Sequence, residues 1–302
     1  MGERPNGLAV SYIHSGLPAR PREGRLKSQE HPTAATGIPQ TQTKPSKNLQ
    51  FLRAGQPVPL QLALREMLDK KLVVFGKLNT SLQAATSLQL LLQTHSLERE
   101  GKLHVVLDAF NFEMQFLLDD FTQGKISFDE LLAQRADMGG EDAEIPQYRH
   151  VLEHARDNKQ KVKLHAGFLP WPYARAALQE GGLSKALRTA KTRGYIHPNE
   201  ACEGSEAHYN FFESLITGRS QADPEVSDSF RQLFPAKQLR DASMAYQVQK
   251  LLGQAASADR FLLLCGRQHM AHGFGLPERL GELREQTCLV YAWQAFGRKS
   301  GE

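Results

Sequence analysis

The chain has 302 residues, 37 Lys and Arg against 33 Asp and Glu for a net charge of +4, and 40% hydrophobic residues. That length suits one large domain or two modest ones with a substantial core, and no apolar run reaches the roughly 18 residues that a membrane-spanning helix needs. The whole surplus of charge lies in residues 1–50, while the other 252 residues balance at 30 of each sign, which argues against a dedicated nucleic-acid binder with its concentrated basic face.

Residues 1–50 hold six of the fifteen prolines among many Ser, Thr, Gln and Gly, with no sustained apolar period. Such a segment buries too little to offset its ordering entropy and reads as a disordered tail. The mixed run 8–13 is too short for the apolar core of a secretory signal. Asn6 stands where a myristoylation site wants Ser or Thr. The expectation is a soluble intracellular protein, with organelle import through this Arg-containing, acid-poor tail left open.

Residues 51–302 read as one α/β domain. The apolar run 72–75, closed by Gly76, predicts the first buried strand. The segment 81–98 predicts the helix after it, with Leu82, Leu88, Leu91 and Leu92 at helical spacing. A second strand, 104–107, is expected to end at Asp108. Helices over 112–122, 127–135 and 146–158 make a helix-only stretch, expected as a small separate lobe at about 112–158. A third strand, 161–165, leads through Leu169-Pro170-Trp171-Pro172 into a helix ending near 179, where Gly181-Gly182 gives a helix stop signal. Helices at 206–215 and 236–255 precede the strands 261–264 and 288–291. Continuous apolar strands alternating with helices predict a mainly parallel sheet flanked by helices.

In an open parallel sheet, ligands bind outside the carboxyl ends of the strands. The residues expected to converge there are Lys77, Asn79, Asp108, His165 and His269. Strand ends carry polar residues in any such fold, so a structural role is equally open for the set. The loop 266–277 is the most suggestive segment. Its glycines permit close approach to a ligand, and His269 and His272 could ligate a metal or haem iron through neutral imidazole nitrogens. Two His at i, i+3 are too few for a zinc site, and a turn with one packed and one exposed histidine is the competing reading. His95, His104, His150, His154 and His197 read as surface or helix-end residues. His208 could reach a ligand, with Tyr209, Phe211 and Phe212 packed as core. Cys202, Cys265 and Cys288 are too far apart for a disulfide scaffold or a cysteine-based zinc site.

Several segments together resemble a known family. They are Val73-Val74-Phe75-Gly76; Val106-Leu107-Asp108-Ala109-Phe110 with Gln115, Leu118-Asp119 and Gly124-Lys125-Ile126-Ser127; Gln238 with Asp241 and Met244-Ala245; and Gly266 with His269, followed by Gly273-Phe274-Gly275-Leu276-Pro277. In this order, over about 71–281, they resemble the ChaN-like haem-binding domain of the Tiki/erythromycin-esterase superfamily. The resemblance implies haem or a related small molecule as partner, and cofactor-binding positions at His269, His272, Gly266, Asp108 and Asp241; either His269 or His272 could serve as the iron ligand, with His269 preferred. It leaves a homodimer open.

The departures from that pattern are chemical. The family's Gly-Glu-x-His motif has Lys77 and Asn79 in place of Glu and His, and the family's Glu after the second strand is Asp108. A charged lysine accepts no proton and repels a divalent cation, and Asn79 cannot act as a general base. The expectation is a haem- or iron-porphyrin-binding protein without hydrolytic activity. The alternatives are a diverged hydrolase of the same superfamily with an altered centre, and a scaffold without chemistry. A haem slot would draw on Phe75, Phe110, Phe168, Trp171, Tyr173 and Phe274, with Lys77, Arg175 or Arg267 pairing with the propionates.

Overall fold

A computed structural model describes residues 8–12, 51–53, 56–77, 82–139, 145–179, 181–218 and 230–294. Among them the strands are β1 (Leu8–Tyr12), β2 (Phe51–Arg53), β3 (Gln56–Val58), β4 (Leu72–Lys77), β5 (Leu103–Asn111), β6 (Val162–Phe168), β7 (Arg260–Gly266) and β8 (Thr287–Gln294). They form a single sheet in the order β3-β2-β1-β8-β4-β7-β5-β6. The run from β1 to β6 is parallel throughout, and β2 and β3 add an antiparallel edge. The fold is α/β, as the alternation of apolar strands and helices predicts.

Both faces of the central strands are covered, which is why those strands lack polar alternation. On one face lie α1 (Leu60–Asp69), α2 (Leu82–Glu98), α3 (Gln115–Gln123), α4 (Phe128–Asp137) and α5 (Arg149–Asp157). The last three are the expected helix-only stretch. Leu117, Phe121, Leu131 and Leu152 share one buried cluster with Val105, Leu107 and Leu164 of the sheet, so the stretch is a layer on the sheet with no core of its own. Its helix starts are legible locally. Ser127 and Glu130 close a capping box at the head of α4, Glu130 Oε2 accepting from the Ser127 N–H at 2.7 Å. Gln115 docks α3 on the edge strand. Its amide donates to the Leu164 carbonyl and accepts from the Ala166 N–H, at 3.1 and 2.8 Å, so it occupies an otherwise unpaired edge.

The other face is covered by α9 (Phe234–Gln254), whose Met244, Ala245 and Val248 pack on Leu72, Val74, Val106 and Leu263. Behind α9 lie α6 (Trp171–Ala177) and α7 (Gly182–Thr192), packed on Leu239 and Ala242, and α8 (Glu206–Thr217) follows in the chain. No helix of the described residues is long and apolar enough to cross a membrane.

Several elements differ from expectation. Leu8–Tyr12 pairs in parallel with β8, so the disordered reading of 1–50 does not hold for these five residues; the remaining residues up to 50 lie outside the described ones. The hairpin β2–β3, α1 and α7 were not legible as periodic runs. Gly181-Gly182 opens α7 and does not close α6, because a Cβ on Gly182 would overlap the Ala176 carbonyl oxygen. β5 runs past Asp108 to Asn111 with a register irregularity after Leu107, since Ala109 and Phe110 are themselves buried. β6 likewise runs three residues past His165.

Candidate functional site at the carboxyl ends of the strands

The parallel strands deliver their carboxyl ends to one rim. There β7 breaks into a tight turn at Arg267–His269, and the Gly266 N–H donates to Asp108 Oδ2 at 2.7 Å. Asp108 Oδ1 accepts from the Tyr148 hydroxyl, also at 2.7 Å. Asp108 therefore ties β5, β7 and the segment before α5 together at the rim. Gly76, at the end of β4, admits the loop after β7: a Cβ there would lie 2.5 Å from Met270 Sδ. The Lys77 side chain and Asn79 lie outside the described residues.

His269 is 3% exposed, and among the described residues its side chain makes one hydrogen bond, from Nδ1 to Asp241 Oδ1 at 2.6 Å. Its Nε2 is enclosed and has no partner among the described residues. Asp241, fully buried on α9, also takes Lys237 Nζ on Oδ2 at 2.7 Å, one helical turn away. Lys237 Nζ in turn lies 2.9 Å from His208 Nε2, and His208 Nδ1 lies 3.1 Å from Glu278 Oε2. Glu278 Oε2 accepts from the Gly275 N–H at 2.7 Å, and the Glu278 side chain is 32% exposed. Arg279 closes the cluster, donating to Gln238 Oε1 at 2.6 Å.

The donors and acceptors of this chain admit one proton assignment, in which the 3.1 Å contact of Gln238 Nε2 with His208 Nδ1 is not a hydrogen bond. His208 donates from Nδ1 to Glu278 and accepts from Lys237 on Nε2. Lys237 donates to Asp241, and His269 donates from Nδ1 to the other carboxylate oxygen. The lone pair of His269 Nε2 is left over. The electrostatics agree. Burial alone would raise the Asp241 carboxyl, but Lys237 and His269 outweigh it and hold it well below the usual carboxylate range. Burial lowers the pKa of His269, opposed by Asp241 and assisted by the Arg240 and Lys237 cations, so the ring stays neutral. Glu278 is held low by His208 and the Gly275 N–H against the effect of burial.

Gly275 shows how closely the loop is drawn in. Its φ is +74°, and a Cβ would lie 2.6 Å from Asp241 Oδ2. His272 also has a positive φ, 59°. It is exposed and meets the Phe211 ring edge-on at 4.9 Å. The turn carries one packed and one exposed imidazole. Among the described residues no group of three or more His, Cys, Asp or Glu could hold a metal ion.

Two strands over from β7, about 10 Å at ordinary strand spacing, β6 ends in Phe168 and α6 begins with Trp171. The Arg240 guanidinium, on the residue before Asp241, lies 4.7 Å from the Phe168 ring centre and 5.3 Å from that of Trp171. Among the described residues Arg240 Nε and Trp171 Nε1 are both enclosed without an acceptor. Arg175 lies 5.8 Å from the same indole, and Phe274 stacks on His208 at 5.2 Å.

Other expected members of the site lie elsewhere. Phe75 and Phe110 are 2% and 0% exposed within the main core. His165 stacks on His104 at 5.1 Å in the half of the sheet nearer its amino edge, because its strand continues past it. His95, read as a surface residue, is wholly buried with neither ring nitrogen partnered, and His104, His150 and His154 are part-buried; His197 is exposed as expected. Tyr209 and Phe211 are buried, and Phe212 packs on Phe234 at 5.3 Å. Sequence reasoning missed Lys237, Glu278, Arg279 and Arg240. The acid–base pair one turn apart at Lys237 and Asp241, on the helix expected over 236–255, was the available signal.

No curated protein matches the chain. Among solved structures it is similar to the one titled "Cofacial heme binding to ChaN of Campylobacter jejuni". The identity is 14% over 81% of this chain and 89% of that one, and the TM-score is 0.49. Residues 63–280 match the model of the family described as haem-binding uptake, Tiki superfamily, ChaN, and since that is well over half of the sequence, the chain belongs to this family.

Proposed function

We propose that this chain binds haem or a related iron porphyrin at the carboxyl rim, where His269 Nε2 would hold the iron, and that it has no hydrolytic activity. The observation that carries the reading is the unpartnered, neutral His269 Nε2, backed by Asp241. A metal-ligating histidine commonly donates its second N–H to a carboxylate, which fixes the tautomer and raises the basicity of the ligating nitrogen. Phe168 and Trp171 offer aromatic surface and Arg240 a cation on the same rim. The donor set fits an iron porphyrin, while the enclosure of Nε2 requires the turn around Met270–Gly275 to open before iron can reach it.

Bound haem supplies the redox and ligand chemistry of its iron. This chain's own residues hold the imidazole neutral, orient it and keep Asp241 ionised. Hydrolysis is disfavoured by the residues at the family's acid and base positions. Lys77 and Asn79 replace Glu and His, and both oxygens of Asp108 are hydrogen-bonded within the fold.

One observation favours the hydrolase alternative. An imidazole oriented by a buried carboxylate, with the far nitrogen free, is also the arrangement of a general base. Haem titration of the apo-protein, followed at the Soret band beside His269→Ala, separates the two. Saturation at about one haem per chain, with a spectrum changed by the substitution, supports axial ligation. Saturation unaffected by it keeps the cofactor and removes His269 as ligand. No saturable shift, together with ester or amide hydrolysis that His269→Ala abolishes, moves the assignment to the hydrolase.

A further inference from the structure

We infer that Arg240 and Trp171 form a carboxylate-binding subsite on the rim, and, resting on the haem reading above, that it takes a propionate of the porphyrin. The argument begins with an imbalance. Arg240 leaves its Nε without an acceptor, and Trp171 does the same with Nε1, although both atoms are enclosed. Burying a donor unpaired costs more than pairing it gains, so two such donors in one place call for an acceptor from outside the chain. Among the described residues Arg240 forms no ion pair, and its charge is balanced only by the faces of Phe168 and Trp171. Those rings, 4.7 and 5.3 Å away, limit how the guanidinium can move, which prepares it for a planar anion.

The chemical class follows from the donors. A guanidinium edge and an indole N–H present hydrogens and no acceptor, so the ligand group is an anion with at least two acceptor oxygens. A carboxylate meets this and, unlike a free inorganic anion, can carry an apolar body that covers the aromatic rings beside it. The placement links the subsite to His269. Arg240 precedes Asp241 on α9, so one helix presents the cation toward the end of β6 and the carboxylate that holds His269 toward the end of β7. A single ligand with a metal centre and carboxylate arms would meet both ends of this arrangement.

The test compares haem with iron octaethylporphyrin, which has no carboxylates, on the full chain and on Arg240→Gln and Trp171→Phe. Arg240→Gln removes the charge, and Trp171→Phe removes only the N–H donor while leaving a ring. Haem affinity is expected to fall about ten- to a hundredfold in Arg240→Gln and severalfold in Trp171→Phe, with binding of iron octaethylporphyrin unchanged in both. Equal losses for the two porphyrins, or no loss for haem, overturn the subsite and leave haem binding standing. A second measurement is independent of iron ligation: the indole N–H resonance of Trp171 in the apo-protein, titrated with metal-free deuteroporphyrin, a dicarboxylate. A saturable shift that disappears in Arg240→Gln supports the subsite even if haem itself fails to bind. An indole resonance that ignores the dicarboxylate overturns it whatever haem does.

Discussion

The sheet carries two histidine–carboxylate clusters on the same face, one toward each end, and they are built differently. Toward the amino edge, Asp259 accepts from the Lys102 and Ala256 N–H groups at 2.8 and 3.1 Å and faces His104 Nε2 at 3.3 Å. His104 Nδ1 accepts from His165 Nε2 at 2.9 Å, and neither ring leaves an enclosed nitrogen unpartnered. At the carboxyl rim, Asp241 receives only side chains, Lys237 and His269, and the chain of bonds ends on a nitrogen with nothing opposite it. A carboxylate bonded to backbone N–H groups holds strands in place. One bonded only to side chains, with a lone pair left over at the end, holds a donor ready for a ligand.

Removing each carboxylate tests that contrast most severely. Asp241→Ala leaves Lys237 and His269 buried without their partner and is expected to cost about 3–5 kcal/mol in urea unfolding. Asp259→Ala is expected to cost about 1–3 kcal/mol, from backbone donors left short of an acceptor. Equal losses would erase the distinction between the two clusters.

Acid is the next largest lever. Burial pushes His95 down to about 4 and His165 to about 3, the latter with His104 and Lys163 adding to the effect. Below the ordinary value of about 6.5 the unfolded chain binds protons at these positions and the folded chain does not. Stability is therefore unaffected above that pH and falls as the pH drops toward the folded values, by about 1.4 kcal/mol per pH unit for each such histidine. Urea midpoints at pH 7 and pH 5 should show the loss, and His165→Gln should flatten the slope. A midpoint that rises on acidification would contradict the buried, neutral assignment.

Two smaller changes probe the rim. Gly275→Ala forces a Cβ against Asp241 Oδ2 at a positive φ. It is expected to cost about 2 kcal/mol and to alter the Soret spectrum of the haem complex by displacing Asp241 from His269. Stability lost without a spectral change would detach the loop from the ligand. Tyr148→Phe deletes the hydroxyl that donates to Asp108. It is expected to lower stability by about 1 kcal/mol, with haem affinity unchanged. A loss of haem affinity would mean that Asp108 does more than tie strands together.

Much of the α/β alternation was legible because strands buried on both faces have to be continuously apolar, and the runs 72–75, 261–264 and 288–291 lie within β4, β7 and β8. Strand ends were less legible. A polar residue looks like the end of an apolar run, yet β5 carries Asp108 inside it, and β6 carries His165, whose side chain finds its acceptor on the neighbouring strand. The hairpin β2–β3 and the pairing of Leu8–Tyr12 with β8 join segments far apart in the chain and leave no periodic trace.

The sequence by itself determined the fold class, the chain's family and the candidacy of His269. Each of these is written in local spacing or in short motifs. Only the tertiary structure decided what His269 is bonded to. Asp241 lies 28 residues away on α9, and Lys237, His208 and Glu278 complete the set from three separate segments. The same packing separated His269 from His272 and left Arg240 and Trp171 with donors unmatched. Hydrogen-bond satisfaction in a buried site is a property of everything packed around an atom, and no stretch of one chain encodes that by its own periodicity.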